Sequence, residues 1–226
     1  MVYFHQWGAA NVCPSGKLRR YKEMKFNRQL ALAALAVTMA VMMSACASKP
    51  FLKVQYQLPS SSTALTGETI SLTISDLRKD AAFLSGNAKK SIENFNDTYS
   101  LVVVRDDGSG NLIGAYDIDS LLKEIFKQRL ENEGVQVFAT AENANTSLAI
   151  DLKEFNLDIV DHKWLLRMSY QAGLSKNKGI TAKESVSGSA ERLKVMGKTD
   201  AEKILGELVT DMVNRLDVAK LFEKTQ

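Results

Sequence analysis

The sequence predicts an α+β domain in which two helices pack on one face of a mostly antiparallel sheet. Two observations carry this prediction. Apolar side chains alternate with period two over residues 147–192, and they recur at helical spacing over 118–133 and again after Thr199. A helix with one apolar face has to bury that face, and the predicted sheet is the surface available for it.

Two strands open the predicted domain. Residues 69–75 alternate apolar and hydroxyl side chains, as in a half-buried strand, and residues 99–104 form a denser apolar run, as in a more covered one. The polar segment 76–98 between them is predicted to be a surface loop. Residues 105–111 contain Gly, Asp and Asn and are predicted to form a turn.

The first predicted helix covers residues 118–133. Asp117 or Asp119 can cap its N-terminus, and Gly134 can close its C-terminus. A short strand from Val135 to Phe138 is expected to follow.

The apolar pattern changes parity within residues 147–160. Apolar side chains before Lys153-Glu154 and those after it would fall on opposite faces of an unbroken strand. A β-bulge at Lys153-Glu154 would turn both groups toward the core, and two separate strands are the alternative.

Turns at 161–163 and 176–179 are predicted to complete a three-stranded antiparallel meander. Its last strand, 180–192, carries small and polar residues and resembles an edge strand with one wet face. The final helix is predicted to begin at a capping box, Thr199 to Glu202, and to continue as an apolar stripe to Leu216.

Charge separates the N-terminal segment from the rest of the chain. The 226 residues carry a formal net charge of +3, but residues 1–45 hold six basic side chains and one acidic one. The remaining 23 basic and 25 acidic residues give 46–226 a net charge of −2. Nucleic acid is not expected as a partner, because phosphate binding requires clustered positive charge. Cys13 and Cys46, the two cysteines, lie outside the predicted domain, so no disulfide is expected in it.

An apolar run, residues 30–43, precedes Cys46. Fourteen helical residues span about 21 Å, short of the roughly 30 Å hydrocarbon core of a bilayer, so the run fits an export signal better than a transmembrane helix. The tetrapeptide Met43-Ser44-Ala45-Cys46 resembles the lipobox of bacterial lipoproteins. It predicts signal cleavage between Ala45 and Cys46 and lipidation of the Cys46 thiol.

Met24 gives a compact signal peptide in which Lys25 and Arg28 precede the apolar run. The predicted organisation is a start-site artefact or extended leader at 1–23, a lipoprotein signal peptide at 24–45, the lipidated cysteine and a flexible tether at 46–66, and a single α+β domain at 67–226. The tether contains at most one short strand, Leu52 to Leu58.

The residues after Cys46 bear on the location of the mature protein. Ala47 and Ser48 follow it, and the sequence lacks the Asp at the second mature position that retains lipoproteins in the inner membrane in enterobacteria-like sorting. We therefore expect acyl chains on Cys46 to hold the protein on the periplasmic face of the outer membrane, with the inner membrane less favoured.

With these elements in order, the chain resembles the YajG-like family of bacterial envelope lipoproteins over nearly all of its exported part. The resemblance rests on the lipobox, the strand entering the charged segment Ile74–Asp80, Val102–Asp106 before the first helix, Leu122–Gly134, the long strand from Leu148, and the C-terminal helix. The family has no established biochemical activity. The resemblance therefore implies an envelope location and a fold, and it adds no site residue.

No catalytic, cofactor-binding or metal-binding residue is predicted. His162 is the only histidine of the predicted domain and lies in a predicted turn without neighbouring ligands. The acidic segment starting at Asp107 does not match a calcium-binding loop, because its sixth and twelfth positions are Leu112 and Ile118 rather than Gly and Glu.

The remaining polar and aromatic candidates have structural explanations. Asp76 and Arg78 are expected to form a surface ion pair, with contact to a partner as the alternative. Trp164 and Tyr170 alternate with polar residues and are expected to lie in the core rather than on a ligand platform.

These observations predict a non-enzymatic, lipid-anchored envelope protein that needs no cofactor and binds another envelope protein. The edge strand around 180–192 is the expected contact surface. The alternative is a binding module for lipid, lipopolysaccharide or peptidoglycan, with an acyl chain held between the two layers.

Overall fold

The computed structural model of the chain describes residues 51–225 apart from Ala141, Asn143, Asn177 and Lys178. It confirms the α+β fold class. In chain order the elements are β1 (Phe51–Gln57), β2 (Thr69–Asp76), α1 (Gly86–Lys89), β3 (Thr98–Val104), β4 (Gly110–Tyr116), α2 (Ile118–Asn132), β5 (Gln136–Phe138), β6 (Thr146–Val160), β7 (Lys163–Lys176), β8 (Gly179–Leu193), α3 (Lys198–Arg215) and α4 (Val218–Glu223).

The strands of the described residues form two sheets where the sequence predicts one. The larger has the order β5-β2-β6-β7-β8; β2 is parallel to both of its neighbours, and the β6–β7–β8 meander is antiparallel. The smaller has the order β1-β3-β4, with β1 parallel to β3 and β4 antiparallel to it. The parallel pairings join strands that are distant in sequence, and side-chain periodicity carries no information about such pairings.

Strand β1 corrects the predicted tether. Leu52, Val54 and Tyr56 are fully buried, and Leu58 after the strand is nearly so. Residues 51–57 are therefore part of the packed structure, and the short strand that the sequence allowed at Leu52–Leu58 corresponds to β1.

Strand β4 was not expected. Residues Asp106 to Ser109 form the predicted turn, with Gly108 at a φ of 77°, but the chain then returns as a strand along β3. Periodicity does not predict this strand, because most of its side chains are exposed and it lacks an apolar face.

The segment 76–98 is more ordered than the predicted surface loop. It contains the helical turn α1, and Phe83 is buried with its ring centroid 4.7 Å from that of Phe155 and 5.4 Å from that of Tyr99. The buried apolar residues of this segment have no regular spacing, so periodicity does not predict its ordered structure.

Two predictions about the long strands are confirmed. β6 runs without interruption, and its register with β7 shifts between Leu152 and Glu154, which is the expected bulge. The β6–β7 turn has two residues, Asp161 and His162, both at positive φ (49° and 61°), as in a type I′ hairpin.

The helix ends match the sequence prediction at α2 but not at α3. Asp117 caps α2 by accepting a hydrogen bond from Ser120 N at 2.8 Å, and Gly134, at a φ of 88°, closes it. The capping box predicted at Thr199–Glu202 is wrong. Helix α3 begins at Lys198 without a side-chain cap, and Glu202 accepts a hydrogen bond from a strand instead.

Helices α2 and α3 contact the apolar face of the larger sheet. The ring of Tyr170 on β7 packs edge-on against Phe126 of α2, with centroids 5.5 Å apart, and its hydroxyl donates to Met212 O of α3 at 2.8 Å. On β8, Gly188 lets α3 approach, since a Cβ there would lie 2.7 Å from Met212 Sδ. Trp164 and Tyr170 therefore belong to the core, as expected.

Candidate functional site

The predicted lipidation and cleavage residues lie outside the described part of the chain. Cys46, Ala45 and the signal peptide at 24–45 precede Phe51, the first described residue. Cleavage between Ala45 and Cys46 and lipidation of Cys46 stay predictions.

Asp76 and Arg78 form a structural ion pair at the end of β2. The guanidinium donates from Nε and Nη2 to the two carboxylate oxygens at 2.9 and 2.7 Å, and from Nη1 to Phe155 O at 3.2 Å. These hydrogen bonds from Arg78 hold the pKa of the Asp76 carboxyl below its usual value. The Arg78 side chain is only 5% exposed. By binding both Asp76 and Phe155 O, it connects the end of β2 to β6 beside the bulge.

The other polar candidates do not converge on a chemical site. His162 is exposed in the β6–β7 turn, and Asp107 is exposed in the β3–β4 turn. Asp107 accepts from Ser109 N at 2.8 Å, which is a turn contact. Among the described residues, no group of three His, Cys, Asp or Glu side chains lies close enough to hold a metal ion.

Helix α3 lies along the free edge of β1. Its residues Glu202, Thr210 and Asn214 are spaced at multiples of four, so they share one face of the helix. Lys53 N donates to Glu202 Oε1 at 3.0 Å, Gln57 N donates to Thr210 Oγ1 at 3.0 Å, and Gln57 O accepts from Asn214 Nδ2 at 3.0 Å. Side chains of a helix thus satisfy backbone groups that an adjacent strand would otherwise pair, which protects this edge.

Gly206 completes that helix face. A Cβ built on Gly206 would lie 2.8 Å from the carbonyl oxygen of Gln55, so the helix and the strand touch backbone to backbone. The sequence placed Gly206 inside an apolar stripe and gave no sign of this contact.

A groove of about 580 Å³, lined mainly by residues with polar or charged side chains, opens beside this contact. Its walls include Lys53, Gln55 and Gln57 of β1 and Glu202, Lys203 and Glu207 of α3. The charged side chains on its walls could contact polar groups of a ligand.

Strand β8 is an outer strand of the larger sheet, as the sequence predicts for 180–192. Arg215 Nη1 donates to Ser187 O at 3.0 Å, so this carbonyl points away from β7. The N–H and C=O of one strand residue point to the same side, and Ser187 N–H therefore faces the outer edge of the sheet. Ion pairs between Arg192 and Glu207 and between Arg215 and Asp211 run beside the edge. Charges at an edge discourage indiscriminate strand pairing.

Strand β4 forms the outer edge of the smaller sheet. Val104 O accepts from Leu58 N at 2.9 Å and therefore faces β1. Backbone groups of successive strand residues point to opposite sides, so those of Val103 face β4 and bond to Asn111. The backbone N–H and C=O of the next residue of β4, Leu112, then point away from β3. The Leu112 side chain is 70% exposed. The exposed position of Leu112 at a sheet edge is not predictable from the sequence, because β4 has no apolar periodicity.

Comparisons with known proteins give structural similarities of low sequence identity. No protein-family model matches the chain, and no curated protein does. A protein from Xanthomonas campestris of the DUF330 family is similar at a TM-score of 0.46 and 13% identity, covering 77% of this chain and 98% of that one.

Two further solved structures are similar over most of their length. A hypothetical protein from Chlamydia trachomatis has a TM-score of 0.43 and 9% identity, covering 70% of this chain and 97% of that one. A lipoprotein from Neisseria meningitidis has a TM-score of 0.34 and 13% identity, covering 66% and 96%. At TM-scores below 0.5 these similarities carry no inference about function.

None of the helices in the described part of the chain combines the length and the apolar character needed to cross a bilayer.

Proposed function

We propose that this protein is a non-enzymatic, lipid-anchored envelope protein that binds another envelope protein by strand addition at the outer edge of β8. The observation that carries the proposal is β8 itself, a strand of 15 residues on the outside of the larger sheet. A partner strand would gain main-chain hydrogen bonds along this edge, taking the place of Arg215 at Ser187 O, and the flanking ion pairs would select its sequence.

The anchor is the sequence-based part of the proposal. The lipobox at Met43–Cys46 supports acylation of Cys46 after cleavage behind Ala45, and the absence of Asp after it supports the periplasmic face of the outer membrane. The likeness of the sequence to YajG-like lipoproteins supports the same location.

Ser187→Pro tests the edge. Proline removes the N–H that faces outward at Ser187 and leaves the β7–β8 ladder intact, so the domain should fold and lose its partner. Leu112→Pro is the matched control, because it removes an outward N–H from the edge of β4 instead. The measurement is the yield of partner protein after in vivo crosslinking and affinity purification.

We expect several-fold lower partner recovery with Ser187→Pro and unchanged recovery with Leu112→Pro. Equal recovery with Ser187→Pro and the unaltered protein would exclude β8 as the contact. Loss with Leu112→Pro alone would move the contact to β4.

The alternative function is recognition of an envelope ligand, such as peptidoglycan, in the groove beside β1, whose charged side chains could bind polar groups of that ligand. Retention of the purified protein on peptidoglycan sacculi, reduced by Gln55→Ala in the groove, would favour this alternative.

A further inference from the structure

An exposed apolar cluster marks one end of the molecule. It consists of Leu193 at the end of β8, Val195 and Met196 in the loop that follows, and Val160 before the β6–β7 turn; we call it the apolar tip. The side chains are 62%, 80%, 63% and 42% exposed, respectively. Scattered exposed apolar residues need no explanation, but large ones grouped at one end mark a contact surface.

The loop of the apolar tip is held in place by hydrogen bonds. The Asp200 side chain, itself buried, accepts from Val195 N at 2.8 Å and from Met196 N at 2.5 Å. Lys194 N donates to His162 O at 3.0 Å. Gly197 then takes a φ of 59°, a backbone conformation that favours glycine. The fold thus fixes Val195 and Met196 with their side chains in solvent.

Strand β1 begins at the same end. The Lys198 ammonium lies 5.7 Å from the centre of the Phe51 ring, and Lys198 is two residues after Met196. Cys46 precedes Phe51 by five residues, which span at most about 18 Å when extended. Acyl chains on Cys46 would therefore hold this end of the domain near the bilayer.

Lysines flank the apolar tip, with Asp161 and Glu191 as its acidic neighbours. Lys194 lies beside it, with its ammonium 5.9 Å from the centre of the Trp164 ring and 2.8 Å from Ser91 Oγ. Lys163 on the neighbouring strand is paired with Glu191 at 3.1 Å. Lysines that flank exposed apolar side chains place the ammonium groups at the level of lipid headgroups.

We propose that the apolar tip inserts into the headgroup region of the leaflet that holds the acyl chains of Cys46, so that the domain touches the membrane at two points. This inference rests on the proposed lipid anchor and adds a fixed orientation to it. The β3–β4 turn, at the far end of β3, would then point away from the membrane, and the edge of β8 would stand upright from it.

The test uses the mature lipoprotein, purified from its host membrane and reconstituted in vesicles of phosphatidylethanolamine and phosphatidylglycerol. An environment-sensitive fluorophore is attached to Val195→Cys or, as the matched control, to Asp107→Cys in the β3–β4 turn. The vesicles contain phospholipids with nitroxide groups, which quench only fluorophores inside the bilayer. Intact mass establishes whether each protein is residues 46–226 with acyl groups.

We expect several-fold stronger quenching at position 195 than at position 107. Adding Leu193→Ser and Met196→Ser to the labelled Val195→Cys protein should abolish the difference, whereas Leu77→Ser, at a leucine 51% exposed elsewhere on the surface, should leave it unchanged. These exposed positions are not needed for folding, so all variants should remain folded.

Equal, weak quenching at positions 195 and 107 in an acylated protein would overturn membrane docking and leave the lipid anchor standing. A fluorophore at 195 that reports an apolar environment without nitroxide quenching would assign the apolar tip to a protein contact and overturn the proposal. A protein without acyl groups, or with residues 1–45 retained, would instead overturn the proposed anchor on which the docking rests.

Discussion

Gly206 and Gly188 lie where a side chain would meet a neighbouring element, but the neighbouring atoms differ in how far they can move. A Cβ on Gly206 of α3 would meet the backbone oxygen of Gln55 at 2.8 Å, and a Cβ on Gly188 of β8 would meet the sulfur of Met212 at 2.7 Å. A strand carbonyl held in a sheet cannot move aside, whereas the end of a methionine side chain can.

Gly206→Ala should therefore lower the free energy of unfolding by about 1–2 kcal/mol, because overpacking against the strand outweighs the roughly 1 kcal/mol gain in helix propensity. Gly188→Ala should lower the free energy of unfolding by less, because the Met212 side chain can move aside. Urea denaturation followed by circular dichroism measures both, and a stabilised Gly206→Ala protein would contradict the backbone contact.

The long strand β6 shows how an element accommodates an irregular pattern. Leu152 pairs with Tyr170 and Phe155 with Met168, so Lys153 and Glu154 share one position of the partner strand, opposite Ser169. The extra residue lets the apolar side chains on both sides of the bulge face the core.

Deleting Lys153 should restore regular pairing without turning any apolar side chain outward, so the protein should fold. It should lose part of its stability, because the bulge presents Phe155 O to Arg78. Deleting Asn156 instead shifts the parity of Leu157 and the residues after it, and should prevent folding. Soluble yield and the thermal unfolding midpoint measure both deletions; failure of the Lys153 deletion alone would show that the bulge is itself required.

At the scale of the whole molecule, α3 joins the two sheets. One side of the helix contacts the edge of β1 through Asn214, which accepts from the Tyr56 hydroxyl at 2.7 Å and donates to Gln57 O at 3.0 Å. The other side packs on β7 and β8 of the larger sheet. A destabilising substitution in this helix should therefore destabilise both sheets.

Asn214→Ala should cost about 1–3 kcal/mol of unfolding free energy, because the buried Tyr56 hydroxyl loses its acceptor. Hydrogen exchange should show faster exchange in β1 and β8 together, within one cooperative unfolding transition. Asn87→Ala, on the exposed face of α1, is the control and should change neither. Faster exchange in α3 alone would contradict the bridging role.

Side-chain periodicity is enough to predict the elements in which apolar residues recur at a regular spacing. Burial of one face imposes a period on the residues, and this period predicts the meander, α2 and the apolar face of α3. The cap of α2 was narrowed to Asp117 or Asp119, and the change of parity in β6 to a bulge or two separate strands. The sequence also singled out the edge strand 180–192. The prediction of an anchor at Cys46 comes from the sequence alone.

Features that depend on residues distant in the chain became visible only in the three-dimensional fold. The strands divide between two sheets, and Phe51–Gln57 is a buried strand and not part of the tether. Glu202 accepts a hydrogen bond from the edge of β1 and does not cap α3. The fold also placed Phe51 beside Lys198, the first residue of α3 and two residues after Met196. Such contacts join residues with no local repeat, so their energies are set by three-dimensional packing and leave no trace in periodicity or spacing.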